Sequence, residues 1–254
     1  MNFQTIIYAV AAIFIVSAIF SMFGKGGGSL YTPVLVMLGL SVSSAISTSL
    51  VLNLITALVA TIVFAKNKLV DYKFCSWFLP GTILGSILGA ILSSKAPKNL
   101  LLGIFSVFLF IAGFLMIYSA KSKERELAKL TVTMVVTVVL FSFGVGVLSS
   151  LIGVGGGLVI FPFLVLVMHY PAQKAAGANS LIVTVSSLVG SLGHLAFGKV
   201  DFSLLAFTSL ACILGSYIGS MVTVKASPKF VKIAFAMIMW FFATQIALKL
   251  VGVT

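Results

Sequence analysis

Gly24-Lys25-Gly26-Gly27-Gly28-Ser29-Leu30-Tyr31-Thr32-Pro33 returns 129 residues later as Gly153-Val154-Gly155-Gly156-Gly157-Leu158-Val159-Ile160-Phe161-Pro162, so the pattern GxGGGxxxxP occurs once in each half of the chain. Glycine disfavours helix by roughly 1 kcal/mol relative to alanine. Two runs of it at matching places in apolar surroundings therefore predict a built-in helix break. Within a membrane, broken backbone is tolerated where it is buried in protein or lines a cavity, and such breaks mark binding sites.

The repeat extends outward from the glycines. Asp71 and Asp201, Gly85 and Gly215, and Gly89 and Gly219 are each 130 apart, and Pro97 and Pro228 are 131 apart. A small, polar run opens the next long segment in both copies, Ser43 to Leu50 and Lys174 to Leu181.

Of the 254 residues, 61% are hydrophobic and 8% charged, against about a quarter charged in soluble domains. Apolar runs near the roughly 20 residues that cross a bilayer lie at Thr5 to Phe23, Ala45 to Ala65, Phe74 to Leu92, Leu100 to Ala120, Leu130 to Ile152, Ala175 to Phe197, Phe202 to Val224 and Phe230 to Leu248. Ser29 to Leu40 and Leu158 to His169 are too short to cross alone, at about 16 to 18 Å each. The predicted fold is an all-α polytopic membrane protein of two repeats. Each repeat holds a glycine-broken helix and half-helix pair followed by three long transmembrane helices. Residues 1–120 form the first repeat, 121–129 the connecting loop and 130–254 the second, all within one integrated transmembrane domain. Met1-Asn2-Phe3-Gln4 has no basic run before the first span and reads as the start of a helix rather than a cleaved signal.

The net charge of +12 is scattered between spans and reads as a topology signal, not a nucleic-acid surface. With five crossings per half, twelve basic residues share one side: Lys25, Lys66, Lys68, Lys73, Lys121, Lys123, Arg125, Lys129, Lys174, Lys225, Lys229 and Lys232. Lys95, Lys98, Lys199 and Lys249 take the other. That bias favours inverted repeats with both termini outside the cytoplasm.

The four acidic residues, Asp71, Glu124, Glu126 and Asp201, all fall in predicted loops. Cation carriers use carboxylates within the spans, so an anionic or neutral substrate is expected. A half-helix that starts after Gly28 or Gly157 presents unpaired N–H groups and the positive end of its dipole. Two such ends facing each other would cradle an anion. The expected ligands are Gly24, Lys25, Gly26, Gly27, Gly28 and Ser29 with Thr32, Ser47, Thr48, Ser49 and Asn53, and Gly153, Gly155, Gly156 and Gly157 with Asn179, Ser180 and Thr184. Close helix packing is the competing explanation for the small residues. Lys25, opposite Val154 in the repeat, either attracts the anion or snorkels to an interface. His194 is the candidate for proton coupling, with an interhelical hydrogen bond as its alternative. Cys75 and Cys212 form no metal-binding or redox spacing. No metal, cofactor or catalytic constellation is expected, and oligomeric state is left open.

These paired glycine motifs, their spacing and the apolar chain around them resemble the TauE/SafE family of sulfite-exporter-type permeases, across essentially the whole chain. The resemblance implies secondary transport, often outward, of small sulfur-containing anions such as sulfite or organosulfonates across the bacterial inner membrane. It carries over to Gly24, Gly26, Gly27, Gly28 and Pro33 and to Gly153, Gly155, Gly156, Gly157 and Pro162, with Lys25 a departure from the usual apolar residue. A passive anion channel, a permease for a carboxylate anion and a membrane receptor for a soluble partner are the rival readings.

Overall fold

The computed structural model describes residues 3–92, 98–120, 132–152, 156–195 and 202–251. The connecting loop 121–129 and the turns that carry Lys95 and Lys199 lie outside the described residues. Ten helices follow in order: α1 (Phe3–Ser21), α2 (Gly28–Met37), α3 (Val42–Lys66), α4 (Tyr72–Leu92), α5 (Lys98–Ser119), α6 (Val132–Ile152), α7 (Gly157–Leu166), α8 (Ala172–Leu195), α9 (Phe202–Lys225) and α10 (Pro228–Val251). The order long, short, long, long, long occurs twice. Both short helices have ten residues and enclose the repeated proline, Pro33 or Pro162. Ser44–Lys66, Leu204–Lys225 and Pro228–Leu248 are each long and apolar enough to cross a membrane. The eight long helices fall at the eight expected apolar runs, and the remaining five are described as helices only.

Two compact units are present, and neither coincides with a sequence repeat. Unit 1 comprises residues 1–75 and 176–225, and unit 2 comprises residues 76–175 and 226–254. In each unit a helix from one repeat packs on helices from the other.

In unit 1, α1 lies along α9. A side chain at Gly215 would strike Ser17 and the Phe14 carbonyl, and one at Gly219 would strike Ala18 and Ser21. Further along, Thr223 Oγ1 donates to Met22 O at 2.7 Å. Residue numbers rise together on both helices, so α1 and α9 run in the same direction. The same holds for α3 and α9, because Cys212 Sγ donates to Leu52 O at 3.3 Å and Ser216 Oγ to Thr56 O at 3.3 Å. Against α8, α3 runs the opposite way: Asn53 meets Ser187, Thr61 meets Thr184, and Gly177 abuts Leu69. The half-helix α2 is also antiparallel to α3, with Gly28 at Asn53 and Thr32 at Ser49. It is the return leg between two long helices of like direction. Its start lies near the middle of α3, about 16 Å from the first residue of that helix at 1.5 Å per residue.

Unit 2 repeats the arrangement with the roles exchanged. α4 and α6 run in the same direction through Gly81, Gly85 and Gly146, whose missing side chains let the backbones approach. α5 and α10 are antiparallel: Lys232 Nζ donates to Ser119 O at 3.3 Å, Trp240 Nε1 to Phe110 O at 3.2 Å, and Ser106 Oγ to Ala243 O at 2.8 Å. α7 is buried from Gly157 to Val165. It is wedged by aromatic contacts, Phe163 stacking on Phe141 at 3.5 Å between ring centres and Phe161 tilting against Phe235 at 4.4 Å.

Candidate functional site

The first glycine motif is two devices in series. Gly24, at φ +63°, ends α1 in a left-handed turn: Lys25 N–H returns to Phe20 O at 3.2 Å and Gly24 N–H to Ser21 O at 3.0 Å. This pairing satisfies the last carbonyls of the helix. A Cβ at Gly24 would also collide with the Ala176 carbonyl and the backbone of Ser180 on α8. Asn179 Nδ2 holds the turn in place by donating to Phe23 O at 2.8 Å. Beyond the turn the chain alternates hand, because Gly26 is again at φ +71° while Gly27 is at φ −96°. Alternation of this kind aims successive N–H groups into one concavity suited to an anion.

Those N–H groups are differently employed from what the sequence suggests. Gly24 and Lys25 spend theirs on the α1 terminus, and Gly28 gives its own to Asn53 Oδ1 at 2.8 Å. Leu30 and Tyr31 both bond Gly27 O, at 2.9 and 3.0 Å. The N–H groups of Gly26, Gly27 and Ser29 have no hydrogen-bond partner among the described residues.

Lys25 reaches from this turn to Ser29. Its side chain is 3% exposed, its Nζ donates to Ser29 Oγ at 2.5 Å, and the ammonium lies over the Phe20 ring, 4.4 Å from the ring centre. A snorkelling lysine extends from a helix end toward water. This one turns back along α1 toward the start of α2, with the ring face supplying cation–π attraction. The ammonium thus meets the hydroxyl of Ser29, whose own N–H, like those of Gly26 and Gly27, has no hydrogen-bond partner among the described residues.

The expected hydroxyl and amide ligands are mostly committed elsewhere. Thr32 Oγ1 pairs with Ser49 Oγ at 2.6 Å, and Ser49 in turn donates to Ile46 O at 2.9 Å. Ser180 donates to Gly177 O and Thr184 to Ser180 O, each at 2.7 Å. Serine and threonine in helices commonly satisfy the preceding turn in this way. Ser47 and Thr48 are buried on α3. Asn53 acts as an acceptor toward the half-helix while its Nδ2 donates to Ser187 Oγ at 2.6 Å. Tyr31, at a variable position inside the motif, and Ser187 also belong to this environment, and only the fold brings Ser187 to it.

At the second motif, Gly156 O accepts from Val159 and Ile160 N–H at 3.0 Å each, reproducing the Gly27 arrangement at an offset of 129. Gly153, Val154 and Gly155 lie outside the described residues, as does the side chain of His194. Within the described part of α7 the side chains after Gly157 are apolar. Asp71 caps α4, accepting from Phe74 N–H at 3.0 Å. Glu124, Glu126 and Asp201 lie outside the described residues. Among the described residues, no group of histidine, cysteine and carboxylate side chains is arranged to hold a metal. An open groove of about 330 Å³ on unit 2, with Ser106, Phe110, Ala243 and Thr244 in its lining, contains none of the expected site residues.

The family model described as sulfite exporter TauE/SafE matches residues 9–246. A protein of Bacillus subtilis (strain 168) named probable membrane transporter protein YunE is 28% identical over 255 residues, covering 91% of this chain and 90% of its own. A probable membrane transporter protein of Methanocaldococcus jannaschii is 26% identical over 242 residues, covering 89% of each chain. Sulfite exporter TauE/SafE family protein 1 of Arabidopsis thaliana is 34% identical over 85 residues, or 34% of this chain and 19% of its own. No solved structure matches. The match over most of the chain, together with these relatives, makes this protein a member of the TauE/SafE sulfite exporter family and a membrane transporter of that type.

Proposed function

We propose that the chain is a secondary transporter that exports a small sulfur-containing anion, sulfite or an organosulfonate, and binds it at the first glycine break. One observation carries the reading: the buried Lys25 donates to the hydroxyl of Ser29, in a segment where the N–H groups of Gly26, Gly27 and Ser29 have no partner among the described residues. A planar or tetrahedral oxyanion presents several acceptors to such donors. The lysine supplies the formal charge that dipoles alone lack.

The two repeats are inverted in this reading. Its support is that each equivalent helix pair packed within a unit, α3 with α8 and α5 with α10, is antiparallel. A half-helix that counts as a crossing gives five passes per repeat, an odd number, which also turns the second copy over. Rocking of one structural half would then expose the site alternately. The protein resides in the bacterial inner membrane, and His194 is the candidate for proton coupling.

The test is flux into proteoliposomes with sulfite, sulfoacetate, thiosulfate, sulfate and acetate. Saturable transport of one or more sulfur anions, with a KM raised roughly ten- to a hundredfold in Lys25→Gln, is the expected result. Failure to move or bind any sulfur anion overturns the substrate class, and flux that never saturates replaces the carrier with a channel.

A further inference from the structure

Behind the first half-helix lies a buried polar cluster that the site does not use directly. Tyr31 is fully buried, and its hydroxyl pairs with Thr56 Oγ1 on α3 at 2.7 Å and with Cys212 Sγ on α9 at 3.7 Å. Thr56 Oγ1 donates to Leu52 O at 2.9 Å, and a hydroxyl has one proton. Tyr31 is therefore the donor to Thr56. Cys212 lies 2.8 Å from Thr56 Oγ1 and 3.3 Å from Leu52 O. The ring of the same tyrosine fills the space that a Cβ at Gly27 would need.

We propose that Tyr31 is a positioning residue that fixes the rotation of α2 about its own axis, and with it the direction of the Gly27 and Ser29 N–H groups. The geometry suits that role. A tyrosine is a long, stiff arm with two rotatable bonds, and its tip is pinned to two long helices that run in the same direction. Its base belongs to the first turn of the half-helix, next to the donors. Only the first half-helix has this pin, since the repeat places Ile160 at the corresponding position of α7. Tyr31 touches no ligand in this scheme and acts through the backbone it orients.

The proposal rests on the anion-binding reading given above, and its test separates the two. Tyr31→Phe keeps the ring against Gly27 and removes the pin. Small misalignments of donors cost up to about a hundredfold, so a rise in the anion KM of roughly ten- to a hundredfold is expected, with the maximal rate changed much less. Thr56→Ser, which retains the acceptor, should stay near the parent while Thr56→Val follows Tyr31→Phe. A readout independent of transport is the modification rate of Ser29→Cys by an anionic thiol reagent, measured with Tyr31 and with Tyr31→Phe. A change of severalfold supports the pin even if the parent moves none of the anions offered, in which case only the substrate reading fails. An unchanged labelling rate, or a KM within twofold of the parent in Tyr31→Phe, overturns the positioning role.

Discussion

Replacing Lys25 by glutamine removes the charge, keeps most of the side-chain length and separates two effects of opposite sign. In the folded protein Lys25 is 3% exposed, its ammonium donating to the Ser29 hydroxyl and lying over the Phe20 ring. Burying such an ion costs several kcal/mol before compensation, so Lys25→Gln leaves the ligand-free protein as stable as the parent or more so. Anion binding moves the other way. A hydrogen bond to a charged group contributes about 1.5–3 kcal/mol, and each 1.4 kcal/mol is about tenfold in affinity, so the loss is roughly ten- to a hundredfold. Thermal unfolding in detergent reads both quantities in one experiment. At a ligand concentration a hundred times Kd the parent gains about 2.7 kcal/mol, and after a hundredfold weakening the gain falls to about 0.4 kcal/mol. Lys25→Arg, which keeps the charge, should retain most of the ligand response. Equal ligand stabilisation in parent and Lys25→Gln, or a loss of ligand-free stability as large as the binding loss, would refute the assignment of this lysine to the anion.

Helix packing dictates three further outcomes. Gly24→Ala forces a left-handed residue to carry a Cβ into the Ala176 carbonyl, so the yield of monodisperse protein on size exclusion should collapse, whereas Gly144→Ala, which has open space around it, should be tolerated. Asn53→Leu deprives Gly28 N–H and Ser187 of their partner and should lower stability by about 1–3 kcal/mol, seen as a fall in melting temperature. Phe163→Ala removes a ring stacked on Phe141 and edge-on to Phe78, and should cost about 3–5 kcal/mol by the same measurement without touching the first glycine motif.

Helix order, the two half-helices and the repeat are legible in the sequence because each rests on local signals, apolar run length and glycine placement. Partnership is not local, and there the sequence is silent. Gly85 and Gly215 are recognisable as equivalent, but nothing in their spacing says that Gly215 receives α1 while Gly85 receives α6. Hydroxyl direction is equally illegible. Ser180 and Thr184 look like ligands in a set of polar residues, yet their protons go to carbonyls three and four residues back. Asn53 reaches Gly28 across 25 residues and Tyr31 reaches Cys212 across 181, separations at which only tertiary geometry decides. Lys25 stands out in the sequence as the one charge in the motif, and its inward turn depends on Phe20 and Ser29 lying on either side of the break.

The pairing of α1 with α9 also sets a timetable. Ser17 and Ser21, both buried, lie where Gly215 and Gly219 bring the α9 backbone close, and those glycines are made almost two hundred residues later. At about 5–20 residues per second, the first helix waits on the order of ten to forty seconds for its partner. During that interval its serine-lined face must be shielded by lipid, by the helices made between α1 and α9 or by the insertion machinery. A newborn chain of this protein therefore lacks a finished first unit until α9 has entered the membrane.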